Sequence, residues 1–108
     1  MTFKNILSYV DSVRPNPFDE ATKLGWLGEA DGLVRAEIHG EAPEGVSTSV
    51  VATDIPAAPV PYMRLYPFYV FAMMDFLCSD YDRYKVSAGI FEDAMELYAK
   101  HYVRTRGK

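Results

Sequence analysis

The chain has 108 residues, 49% apolar and 24% charged, which suits one soluble globular domain over residues 1–108 and excludes disorder or a fibrous repeat. Its net charge of −4 gives no general attraction to nucleic-acid phosphates, so duplex gripping and sequence-specific nucleic-acid binding are not expected. A lone cysteine, Cys78, rules out an intramolecular disulfide, and Asn5, Ser8 and Asp11 interrupt any apolar core of a leader, which favours the cytoplasm.

Thr2 can cap a first helix over roughly residues 3–14, in which Phe3, Ile6, Leu7, Val10 and Val13 recur at helical spacing until Pro15 and Pro17 stop it. A second helix starts near Phe18 or Asp19, with acidic residues at the positive end of its dipole, and fades by Gly40. Leu24, Leu27, Val34 and Ile38 form one stripe of it. Ala21, Gly25, Gly28, Gly32 and Ala36 form a small-residue stripe beside it, where another helix could approach closely. Three glycines inside a helix cost about 1 kcal/mol each relative to alanine, so packing must compensate or the helix must break. Trp26 and Leu33 project from a third side, one heptad apart.

Glu41 to Pro61 differs in character, with four prolines, Gly45 and the β-branched run Val46 to Val51, which reads as extended chain and a possible short strand. A connection of this length in a small domain serves binding or is mobile. It divides the chain into two helical pairs. The third helix follows Pro61 and runs to about Ser79, apolar on nearly every side and therefore expected to be buried all round. Pro67 belongs in its first turns, with a kink near Met63 to Pro67. Its apolar run of about 14 residues covers about 21 Å, too little for a bilayer of about 30 Å.

The fourth helix, about Asp80 to Arg106, carries a heptad stripe of Tyr81, Tyr84, Ala88, Phe91, Met95, Tyr98 and Tyr102. Val86, Ile90 and Leu97 form a second apolar stripe nearly opposite, and two apolar sides need two partners. The fold expected is all-α: four helices in two pairs, joined by the long proline-containing segment. Such a domain cannot cover both sides of its second and fourth helices, so self-association through Trp26, Leu33, Val86, Ile90 and Leu97 is expected.

Catalytic and cofactor signals are few. His39 and His101 lack the spacing of a zinc pair, and one cysteine makes no thiolate cluster, so no metal site is indicated. His101 lies with Lys100, Arg104, Arg106 and Lys108 at a helix C-terminus, where positive charge suits the dipole. Cys78 reads as a buried inert thiol, and the carboxylate pairs Asp19–Glu20, Asp80–Asp82 and Glu92–Asp93 as caps or solvated faces. Gly25, Gly28 and Gly32 follow no strand and bring no phosphate-binding lysine, so they are packing glycines. No catalytic residue and no cofactor is expected.

Several runs carry a likeness: Pro15-Asn16-Pro17-Phe18 after the first helix, Lys23, Trp26 and Leu27, then Val60-Pro61-Tyr62-Met63-Arg64-Leu65-Tyr66. Further on stand Ala72-Met73-Met74-Asp75-Phe76, Tyr81-Asp82-Arg83-Tyr84, Phe91 and the ending Tyr102 to Gly107. Together they resemble the head-to-tail connector, or adaptor, proteins of tailed phages and prophages. The resemblance implies a non-catalytic virion protein, made in the host bacterial cytoplasm, that forms a homo-oligomeric ring beneath the portal and extends the channel used in DNA packaging. Its partners would be other copies, the portal protein and a tail-side head-completion protein. In that setting Val46, Val50 and Val51 would reach a neighbouring copy, and Arg104, Arg106 and Lys108 would dock on acidic portal surfaces. A ring's summed negative charge would limit sticking of the passing DNA. The alternative is a small helical interaction or regulatory protein that works as a dimer through Trp26 and Leu33.

Overall fold

The apolar spacing of the first fourteen residues produces α1, Phe3–Val13, which buries Phe3, Ile6, Leu7 and Val10 and exposes Val13. The Thr2 amide donates to Asn5 Oδ1 at 2.8 Å across its first turn. In this computed structural model, which describes residues 1–106, α2 spans Glu20–Leu33, α3 Leu65–Leu77 and α4 Tyr81–Arg106. The architecture is all-helical, and no strand occurs among the described residues.

Asp19 caps α2 by accepting the Thr22 amide at 2.8 Å, and its carboxyl is held below the ordinary range chiefly by the Thr22 side chain and next by that amide. The helix continues past Leu33 as a π-helical turn, Val34–Ile38, and ends at Gly40, whose φ of 76° lies in the left-handed region. The glycines of α2 do not break it. At Gly28 and Gly32 their stripe is covered by the extended segment 46–50 and not by another helix: Cβ atoms there would meet Thr48, with Val50 and Val46 next nearest.

This is the first correction to the sequence reading. The Val46–Val51 run is not a strand, because the surface beside it is a helix, which offers no ladder partner. Residues 52–58 then return to the bundle. The amides of Phe3 and Lys4 donate to Asp54 O and Ala52 O at 3.1 and 2.9 Å, which satisfies two of the free donors at the start of α1.

After turns over residues 59–64 and a cis Val60–Pro61 bond, α3 begins at Leu65, so Pro67 falls in its first turn, where its missing amide is no loss. Leu65, Tyr66, Val70, Phe71 and Met74 lie in the core with Leu27, Ala30 and Val34 of the second helix and its π-turn. The expectation of burial all round fails at the C-terminal end of α3. Phe76 and Leu77 are about half exposed, because the bundle ends there, and the exposed Phe76 ring packs against Tyr81 and Tyr84. Cys78 is likewise exposed and not a core thiol.

Of the α4 heptad stripe, Tyr98 is buried, Tyr84, Ala88, Phe91, Met95 and Tyr102 are half-buried, and Tyr81 is exposed beyond the bundle end. A helix of 26 residues is about 39 Å long, which accounts for the 44 Å long axis of the molecule.

Candidate assembly surface

Carboxylates and cations drawn into the interior must be paired, and three such nodes fix how the helices present their outer faces. Asp75 of α3 is buried. Its Oδ1 accepts from Arg14 Nη1 at 2.8 Å and its Oδ2 from Ser87 Oγ at 2.9 Å, joining the end of α1 to α3 and α4. The Arg14 guanidinium also lies 4.7 Å over the Phe71 ring. Lys23 of α2, equally buried, donates to Asp11 Oδ1 at 2.6 Å and to Asn16 Oδ1 at 3.3 Å, and its ammonium holds the Asp11 carboxyl below the usual range. Asp31 Oδ1 accepts from Tyr66 Oη and from the Ala57 amide, both at 2.8 Å, which ties the returning segment to α2 and α3. Among the described residues no buried side-chain nitrogen or oxygen lacks a hydrogen-bond partner.

Both histidines meet in one aromatic cluster at the far end of α4. His39 Nε2 lies 2.7 Å from Tyr98 Oη, and its ring stacks on Tyr102 at 4.7 Å. Tyr62 lies 5.4 Å from Tyr98 and 4.6 Å from His101. Burial raises the Tyr98 hydroxyl above its ordinary pKa. The two imidazoles therefore pack with tyrosines, and among the described residues no group of three histidine, cysteine or acidic side chains is placed to hold a metal.

With the interior satisfied, the remaining question is which apolar groups stay outside. Val86 is 63% and Leu97 59% exposed, both on the α4 side that faces away from α3, and Ile90 between them is half-buried. Ile90, Asp93 and Leu97 border a hollow of about 630 Å³ whose opposite wall is Pro61, Tyr62 and Arg64. A second hollow, about 360 Å³, lies on α2: Gly32, Ala36 and Thr48 line it with Leu33, Pro43, Val46, Glu29 and Tyr69. Glu29 accepts the Tyr69 hydroxyl at 2.7 Å, and burial with this carboxylate raises the tyrosine above its normal range.

No family model, curated protein or solved structure matches this chain. The site must be judged on its own geometry. Of the residues expected to meet a neighbour, Val86, Ile90 and Leu97 share one face of α4, and Leu33, 37% exposed, borders the α2 hollow with Val46. Trp26 is a correction. It is 6% exposed and packs edge-on against Phe18 at 5.2 Å, because the chain around Pro17 folds back over that side of α2. Val46 and Val50 are half-buried against α2, whereas Val51 is the exposed valine of the run. Arg104 is exposed on α4, whereas Lys108 and the Arg106 side chain lie outside the described residues.

Sequence reasoning missed Lys23, Asp31 and Asp75 as interior charges. A signal existed for one of them: Asp75 is the only charge in the apolar run of α3, a position where a solvated face is not available. Lys23 and Asp31 had no comparable mark. No helix among the described residues is long and apolar enough to cross a membrane.

Proposed function

We propose that this chain is a non-catalytic assembly protein, a head-to-tail connector of a tailed phage or prophage that forms a ring at the portal vertex of the virion. The observation that carries the reading is the outward apolar face of α4, on which Val86 and Leu97 remain more than half exposed while the interior polar groups are paired. Burying one large apolar side chain is worth about 1.5–3 kcal/mol, so repeated use of this face around a ring supplies substantial association energy. The sequence resemblance supports the setting: a ring extending the DNA channel, seated on the portal and receiving a tail-side head-completion protein. The exposed Arg104 supports the idea that the end of α4 docks on an acidic partner.

The test is solution mass by light scattering over a concentration series, followed by negative-stain imaging and a pull-down with a tailed-phage portal protein. Closed rings that bind the portal are expected. A closed dimer that ignores the portal would replace the connector reading with that of a dimeric interaction protein.

A further inference from the structure

Two apolar surfaces on one chain carry opposite charge. The α2 hollow holds Glu29 in its wall, and Glu37 and Glu44 adjoin its lining residues Ala36 and Pro43. Glu37 and Glu44 are exposed and form no ion pair among the described residues. The α4 face is instead bordered by cations. Arg64 lines its hollow, and Lys100 and Arg104 follow Leu97 at three and seven residues, on the same side of the helix. Arg64 and Arg104 are exposed and form no ion pair among the described residues, and Lys100 meets only the exposed Glu96, at 3.2 Å. Asp93 is the one acid in the wall of this hollow.

We infer that the α4 face of one copy docks on the α2 hollow of the next, with Leu97 beside Leu33 and the three cations against the three glutamates. This rests on the assembly reading above and specifies its contact. The shapes agree with the charges: Gly32 and Ala36 keep the α2 surface low between Leu33 and Val46, while Leu97 stands out from α4 with 59% of its surface exposed. Each surface repels its own kind and attracts the other. Such a contact is head-to-tail, and repetition closes into a ring or continues as a filament, whereas an isologous contact stops at a dimer.

The experiment uses full-length chains with either Arg64→Glu and Arg104→Glu, or Glu37→Arg and Glu44→Arg, all at exposed sites outside the interior nodes. Circular dichroism and thermal melts check that both remain folded. Each variant alone is expected to self-associate more weakly than the wild type by about tenfold or more, since like charges then face each other. An equimolar mixture is expected to restore assembly with the two variants alternating, because the unaltered α2 side of the first meets the unaltered α4 side of the second and the two reversed sides again carry opposite charge. Carrying all four substitutions on one chain should restore assembly. A wild type that remains monomeric at about 0.5 mM, a concentration that populates contacts of millimolar affinity, overturns the inference. So does assembly that persists unchanged in both variants, although this leaves the ring reading standing. Charge-dependent pairing together with wild-type filaments, not rings, keeps the contact and overturns the connector role.

Discussion

The Tyr66 hydroxyl donates to Asp31 Oδ1 at 2.8 Å while its own oxygen accepts the Ala58 amide at 2.9 Å. One buried phenol thus links α3, α2 and the segment that returns from the surface. Desolvation, reinforced by the Asp31 charge, raises its pKa far above the ordinary tyrosine value. Tyr66→Phe keeps the ring but leaves the Ala58 amide without its acceptor, so a loss of about 1–3 kcal/mol is expected in urea unfolding. Faster hydrogen exchange at Ala57 and Ala58 should accompany it. Unchanged stability would show that this link is dispensable.

Asp75 gives a sharper case, because it is the shared acceptor of Arg14 and Ser87. Arg14→Ala strands the carboxylate in the interior, with Arg83 Nε 3.9 Å away as its remaining cation. Removing one partner of a buried pair costs about 3–5 kcal/mol, and the partial exposure of Arg14 places this loss near about 2–3 kcal/mol. Asp75→Asn, which keeps the shape and one acceptor, should cost less. Calorimetric unfolding of the two variants would rank them.

The glycines of α2 separate into two kinds. A Cβ at Gly25 meets nothing within 4 Å, so Gly25→Ala should stabilise the helix by about 0.5–1 kcal/mol. A Cβ at Gly28 would collide with the Thr48 carbonyl, so Gly28→Ala should push segment 46–50 off α2 and lower the melting temperature. Limited proteolysis within residues 44–52 should quicken in the second variant alone.

Stability should fall at both ends of the pH scale. Asp11, Asp19 and Glu41 have folded pKa values below their unfolded ones, lowered chiefly by bonds from the side chains of Lys23, Thr22 and Arg35. Their contribution is present above the unfolded values, near about pH 4, and is lost as pH drops through the folded ones. Tyr66, Tyr69 and Tyr98 have raised values, so their contribution is full below about pH 10 and is lost as pH rises beyond it. Thermal melts across pH would trace both limbs, and Asp11→Asn should flatten the acid one.

Cys78 offers a direct check on the turn between α3 and α4. Its thiol is exposed, so a disulfide reagent should modify it in the native protein as readily as after unfolding. Modification that requires denaturant would contradict this placement.

The four helices were legible because apolar residues recur at helical spacing from Phe3 to Val13 and from Tyr81 to Tyr102, and because Pro15, Gly40 and Pro61 stand at the breaks. The Asp19 cap followed from the same local rules. The α4 face of Val86, Ile90 and Leu97 was legible too, since residues three, four and seven apart share a side whatever the helix packs against. Other features depend on what lies opposite. The conformation of Val46–Val51 could not be read from its β-branched residues, because a strand needs a ladder partner and its neighbour is the glycine surface of α2. Trp26 is interior only because Phe18, eight residues earlier, folds back over it, and Cys78 is exposed only because the bundle stops there. The sequence by itself determined where helices begin, end and carry apolar stripes, since those depend on contacts within a few residues. Tertiary structure alone decided the pairings of Asp31 with Tyr66, Asp75 with Arg14 and His39 with Tyr98, since residues 35, 61 and 59 positions apart meet only when the helices pack.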